Sequence, residues 1–469
     1  MDLSKTTARE LSAALAGREI SAVELMQATL ARIEAVNGAV NAIVSLRDAD
    51  ALLAAAAQAD NSPRTGWLQG IPFAIKDLAH AAGLPTSKGS PIFADRVAAE
   101  DDLMVARLRR AGALIIGKTN TPEFGLGSHT FNPVHGATRN PYDRSRSAGG
   151  SSGGAAVALA TGMLSVAEGS DMMGSLRNPA GWNNVYGMRP TWGVVPGHPE
   201  GEGFFEQFST EGPMARTPGD LAALLDTMAG PHPHVPLGLT IPATLDSIDK
   251  LASAPRIGWL QAWGNAWPMQ DGVLTLCEQA LAQMGDLGWR VEALPPPFSA
   301  PDMWQSWTDL RSYSIAMRRR AEYETAATRT QLKPAMIWEI ERGRALRGAD
   351  IYSALETRTA WYRQAATLFE AHDVLVLPSA QIWPFDGALE HPVEIAGVRM
   401  DTYHRWMQVV VPASLIGLPV VNVPIGFGQE GLPMGLQLIG KPASDGYLLQ
   451  VAHRWHEATM WPQRRPAMV

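Results

Sequence analysis

The side chains best suited to covalent chemistry cluster between Gly149 and Trp182. This stretch reads GGSSGGAAVALATGMLSVAEGSDMMGSLRNPAGW and holds two glycine-framed serine groups, Gly149 to Gly154 and Gly169 to Ser175. Glycines around a serine let backbone N–H groups converge on a ligand with no Cβ in the way. Such composition also makes flexible linkers, but the segment between the groups, Ala155 to Leu164, is apolar and long enough for a short buried helix. Upstream, Gly70-Ile71-Pro72-Phe73-Ala74-Ile75-Lys76-Asp77 reads as an apolar strand ending in a lysine. Burial there disfavours the ammonium form and draws Lys76 toward general-base range. A strand-end lysine can equally snorkel to solvent or pair with its neighbour Asp77. Both roles stay open on the residues alone.

Other motifs fail on context. Gly112-Ala113-Leu114-Ile115-Ile116-Gly117-Lys118-Thr119 matches the phosphate-loop pattern literally. Its variable positions are apolar and strand-like, however, and a helix precedes them where a strand is required. Gly149-Gly150-Ser151-Ser152-Gly153 fits the nucleophile elbow of α/β-hydrolases, yet the preceding Tyr142 to Ser147 is too polar for the buried strand an elbow needs. Ser247-Ile248-Asp249-Lys250 lacks the companion motifs of an S-x-x-K enzyme. The 11 histidines show no zinc-type spacing, so no metal site is expected. Cys277, the one cysteine, sits in an apolar helical pattern and reads as core packing. Serine with lysine is the chemistry left standing.

The elements that must position these residues follow an α/β pattern. A chain of 469 residues suggests two to three domains or one large α/β domain with insertions. Residues 5–60 look helical, with Ser21-Ala22-Val23-Glu24 as a capping box and an alanine-rich helix from Asp48 to Ala59. A helix from Asp102 to Arg110 leads into a strand from Ala113 to Ile116. Further strands are expected at Arg256 to Leu260, Asp373 to Pro378, Pro419 to Pro424 and Gly435 to Ile439. Helices are expected at Asp271 to Met284, through most of Asp302 to Ala371, and from Tyr447 onward. Net charge is −7 with no basic run, which argues against nucleic acid as a partner. No secretory leader is recognisable in MDLSKTTARE and no apolar stretch is long enough for a membrane span, so a cytoplasmic protein with no membrane partner is expected. The 15 tryptophans point to an aromatic-lined pocket or to core.

Read in order, Gly70 to Asp77, Gly117-Lys118-Thr119-Asn120, Arg139-Asn140-Pro141, Gly149 to Gly154, Gly169-Ser170-Asp171 and Gly174 to Ala180 resemble the amidase signature family. Gly187-Met188-Arg189-Pro190-Thr191 and Gly431 to Gln437 extend the likeness over nearly the whole chain, most weakly between about 230 and 370. The resemblance implies one α/β/α domain over residues 1–469 around a large mixed sheet. Within it, 1–65 would be N-terminal helices and 66–230 the signature region. Residues 231–370 would be a variable, mostly helical substrate side, and 371–469 a return to the sheet. It further implies cofactor-free hydrolysis of a small-molecule amide by a monomer or homodimer.

Carried over by position, the family's nucleophile falls on Ser175, its bridging cis-serine on Ser151 and its base on Lys76. The oxyanion donors fall on the N–H groups of Met172, Met173, Gly174 and Ser175, and Gly125, Ser152 and Met173 on the substrate pocket. Lys118 is the family's structural lysine, and Asp171 with Arg177 is expected to form an ion pair holding the loop. Met173 replaces a family glycine, which the backbone tolerates if the position does not need φ > 0. Met and Trp content suggests an apolar or aromatic substrate group, leaving aryl acylamides, aliphatic amides, carbamates and esters open. The family also contains the A subunit of the glutamyl-tRNA amidotransferase, the runner-up reading. A catalytically idle binding protein is a third.

Overall fold

The computed structural model describes residue 2, residues 5–197 and residues 202–468. The first helices start where the sequence places caps. Thr7 and Ser21 accept the N–H groups of Glu10 and Glu24, whose carboxylates reach back, so capping boxes open Ala8–Ala16 and Ala22–Val40. Asp48 caps Ala49–Asn61. Strands β1 (Ile43–Val44), β2 (Pro72–Lys76) and β3 (Leu114–Thr119) form a three-stranded sheet in the order β1-β3-β2, with β2 and β3 parallel. Parallel strands covered on both faces take near-continuous apolar runs, which is why these two read clearly in the sequence. The phosphate-loop look-alike lies largely within β3. Gly112 just before it has φ +95, and a Cβ there would sit 2.5 Å from Gln69 Cα. This glycine serves a tight turn, not a phosphate.

Eight more strands make the main sheet: β4 (Val166–Asp171), β5 (Tyr186–Arg189), β6 (Thr210–Ala215), β7 (Arg256–Trp259), β8 (Arg290–Ala293), β9 (Val374–Pro378), β10 (Val420–Phe427) and β11 (Pro433–Ile439). Their order is β8-β7-β9-β11-β10-β5-β6-β4. The three strands β8, β7 and β9 are parallel, and every other pairing is antiparallel. With helices packed around this mixed sheet, the fold is α/β, as the resemblance implied. Strands β4, β5 and β6 are absent from the sequence reading. Their sequences VAEGSD, YGMR and TEGPMA carry glycine, proline and charge where a strand pattern wants alternating apolar residues.

The tryptophans are mostly core. Trp182, Trp263, Trp307, Trp361, Trp406 and Trp455 are each less than 2 % exposed, and Trp182 stacks on Trp406 with ring centroids 5.8 Å apart. Cys277 is buried within helix Val273–Asp286, and burial pushes its thiol well above the usual range. No helix among the described residues is long and apolar enough to cross a membrane.

Candidate active site

The two sheets meet where edge strand β2 runs beside edge strand β4. The Glu168 carboxylate of β4 accepts the backbone N–H of Lys76 and so caps an open edge amide. Alternate residues of a strand share one face, so Glu168 and Ser170 project together. Glu211 of β6 lies directly opposite Ser170 in the register and joins them on that face. A polar patch thus replaces the apolar face a packed sheet would present.

Lys76 enters this patch. Its side chain is buried, with Nζ 2.8 Å from Ser151 Oγ, 2.8 Å from Ser152 Oγ and 3.1 Å from Ser170 Oγ. No carboxylate among the described residues makes an ion pair with it. Burial lowers its pKa to about 7, against the opposing pull of Glu168, Asp171 and Glu211. Burial pushes the carboxyls of Glu168 and Glu211 up. Glu211 has no hydrogen-bond partner for its side chain among the described residues. Lys76 therefore neither snorkels nor pairs with Asp77. The Asp77 carboxylate is taken by the Ser87 N–H and hydroxyl, with Lys118 Nζ 4.0 Å away. Lys118 itself donates to the Ala79 carbonyl and is wholly buried, away from the serines.

Ser151 follows a cis peptide bond at Gly150 and opens the turn into helix Gly153–Ala160. Both serines of the pair are equally close to Lys76, but only Ser151 also lines the adjoining cavity. Ser152 is fully buried behind it, so its expected place in the substrate pocket is not realised. Gly125 does line the cavity, with φ +70, and a Cβ there would sit 3.5 Å from Ser151 Oγ and 2.8 Å from Leu78 Cδ1.

Ser175 ends the loop that leaves β4. Its side chain faces the same cavity, and its hydroxyl has no partner among the described residues. Its carbonyl accepts the Ser152 N–H at 3.2 Å, which locks the two serine groups together. Asp171 anchors this loop as a buried hub. It accepts the N–H groups of Gly174 at 2.8 Å and Leu176 at 3.1 Å, and pairs with Arg177 at 2.9 Å. Burial alone would raise the Asp171 carboxyl, but Arg177 and Arg189 hold it well below the usual carboxylate range. The expected Asp171–Arg177 ion pair is present.

One expected donor is otherwise engaged. The Gly174 N–H points at Asp171, which leaves those of Met172, Met173 and Ser175 without an acceptor among the described residues. The loop's left-handed residue is Gly174, with φ +82, so methionine at 173 meets no backbone penalty. Met173 is 3 % exposed, packs into the main core and touches the cavity as well. Met173→Ala is expected to lower stability by about 2–4 kcal/mol in urea denaturation while enlarging the space beside Ser175.

The cavity measures about 1120 Å³ and also reaches Met317, Met336, Met407 and Trp192. The helical stretch weakest in resemblance supplies Arg311, clamped by Glu339 at 2.8 Å and by the Tyr403 hydroxyl at 2.7 Å, with Met172 Sδ at 3.2 Å. The methionines of the expected apolar pocket are there, and Phe124, Trp192 and Phe204 are its aromatic members. Charged side chains share the lining. Glu168, Glu211 and Arg311 escaped the sequence reading, because no spacing rule links residues so far apart in the chain.

The amidase family model matches residues 24–449. The chain belongs to the amidase signature family. It is 33 % identical over 473 residues to an acylamidase of Rhodococcus erythropolis, covering 98 % of this chain and 97 % of that one. It is also 33 % identical over 491 residues to the A subunit of a glutamyl-tRNA(Gln) amidotransferase from Picosynechococcus sp., covering 98 % and 99 %. A bacterial aryl acylamidase of known structure superposes with a TM-score of 0.91 at 26 % identity, covering 98 % of this chain and 97 % of that one. The protein is an amidase, an enzyme that hydrolyses carbon–nitrogen bonds.

Proposed function

We propose that this amidase hydrolyses a small-molecule carboxylic amide through an acyl-enzyme on Ser175, with Ser151 as proton bridge and Lys76 as base. The observation that carries the reading is a buried lysine without a carboxylate partner, 2.8 Å from the hydroxyl of Ser151. Serine is a weak nucleophile until a positioned base takes its proton. Neutral Lys76 takes a proton from Ser151, which takes one from Ser175 as the Ser175 oxygen bonds to the amide carbon. The N–H groups of Met172, Met173 and Ser175 hold the oxyanion. Collapse breaks the C–N bond, and the relayed proton leaves on the amine. Water then attacks the ester by the same relay and releases the carboxylic acid. No cofactor enters these steps.

Only neutral Lys76 can act as base, so kcat/KM is expected to rise with pH through about 7 and then level off. Initial rates from about pH 5 to pH 9 check this; a flat profile would exclude Lys76 as the base.

Aryl acylamides, aliphatic amides, carbamates and esters are the substrate classes in view, handled by a cytoplasmic monomer or homodimer. The equal likeness to an amidotransferase component supports a second reading, in which the chain works with partner proteins. Purified chain alone, assayed on anilides, aliphatic amides, carbamates and esters, separates the two. Amine release without partners eliminates the second. Phosphonofluoridate labelling of Ser175 separates either from an idle binding protein.

A further inference from the structure

Away from Ser175, the same cavity holds a lobe that the proposed chemistry does not use. Lys88 lines it, half-buried, and its ammonium has no hydrogen bond or ion pair among the described residues. Nor is the ammonium loosely hung. The Lys88 carbonyl accepts the Phe124 N–H at 2.7 Å, and Nζ sits 5.6 Å from the Phe93 ring centroid. Phe93 meets Phe124 edge-on at 6.0 Å, and Arg319 lies 4.7 Å over Phe124. Arg96 covers Phe93 at 5.7 Å. His80 faces this lobe too, and its Nδ1 is buried with no partner.

Three cations on an aromatic floor repel one another, and desolvation adds to the cost. Burial lowers the pKa of Lys88, and Arg319 and Arg96 lower it further, against Asp102 and Glu322. Glu322 offsets Arg319 through a 3.0 Å ion pair, and Asp102 accepts the His80 backbone N–H. In a chain of net charge −7, a fixed cation facing the reaction cavity calls for an anion from outside.

We propose that Lys88, with His80 and Arg319, forms a subsite for a carboxylate carried by the amide substrate. The inference rests on the amidase reading and narrows it: favoured substrates are amides of dicarboxylic acids, or of amines that bear an acid group.

The test uses matched substrates and the full chain. Succinyl, glutaryl and adipoyl p-nitroanilides are compared with neutral counterparts ending in an isopropyl group, and 4-acetamidobenzoate with 4-acetamidoacetophenone. The enzyme is expected to prefer at least one carboxylate-bearing member. For that substrate, Lys88→Met should raise KM about 10- to 100-fold, the scale of a lost charge-assisted hydrogen bond, and leave the neutral counterpart within about twofold. Lys88→Arg should retain most of the preference. In the wild type, raising ionic strength from about 0.05 to about 0.5 M should raise KM for the charged member only. Methionine has no harder access than lysine to the left-handed backbone at 88, and equal neutral-substrate rates report an intact fold. Equal effects of Lys88→Met on both members, or none on either, overturn the subsite and leave the amidase reading standing. No hydrolysis of any amide overturns both.

Discussion

Ser175→Ala is expected to lower kcat by about 10⁶-fold on every amide the enzyme turns over, the scale seen when the nucleophile of a serine hydrolase is removed. In the proposed mechanism the hydroxyl is the atom that bonds to the substrate, so no neighbour can replace it. Ser151 and Ser170 lie close by, but both are oriented to Lys76. Stopped-flow bursts of p-nitroaniline should vanish, and phosphonofluoridate should no longer label the protein. Melting should be nearly unchanged, because the Ser175 hydroxyl holds nothing in place. The backbone carbonyl that receives the Ser152 N–H survives the substitution. Members of a relay act as one unit, so Ser151→Ala/Ser175→Ala should be little worse than Ser175→Ala. Turnover within about tenfold of wild type would remove Ser175 from the mechanism.

Lys76→Met is expected to cost about 10³- to 10⁴-fold in kcat, the upper range for a general base that serves both half-reactions. Methionine fills a similar buried volume without a titratable group, so packing is kept while proton transfer is lost. The second signature is the pH profile. The ionisation near pH 7 should disappear, and the residual rate should climb only with hydroxide. A variant that kept the same inflection would place the ionisation on another group, with Glu168 and Glu211, whose carboxyls burial raises beside Lys76, as the alternatives facing the cavity.

Legibility in the sequence followed burial. Strands β2, β3, β9, β10 and β11 were readable because both faces are covered and their sequences run apolar. The capping boxes at Thr7 and Ser21 both carry the S/T-x-x-E pattern in the residues themselves. Strands β4 and β6 were not readable, and the reason lies in the site. Glu168, Ser170 and Glu211 sit where a strand wants apolar side chains, since their face looks onto Lys76. Motif order gave the family, and with it Lys76, Ser151 and Ser175. It gave neither the engagement of the Gly174 N–H by Asp171 nor the charged lining of the cavity. Those depend on β8-to-β4 sheet order and on helix Ala300–Arg318, whose placement no local pattern encodes.

The polar patch between the two sheets also shapes how the fold responds to acid and alkali. Glu168 and Glu211 have carboxyls raised above their unfolded values, so the folded chain binds more protons than the unfolded one as pH climbs past about 4.5. Stability present in acid is therefore lost as pH rises through the folded-state ionisations of these two carboxyls. Lys76 works in the opposite sense. Its value is depressed to about 7, so between there and about 10.5 the unfolded chain binds the extra proton and stability returns. The two slopes oppose each other, the carboxyls losing stability as pH rises and Lys76 returning it above about 7. Protonation-linked stability and the proposed proton relay thus draw on the same few buried atoms.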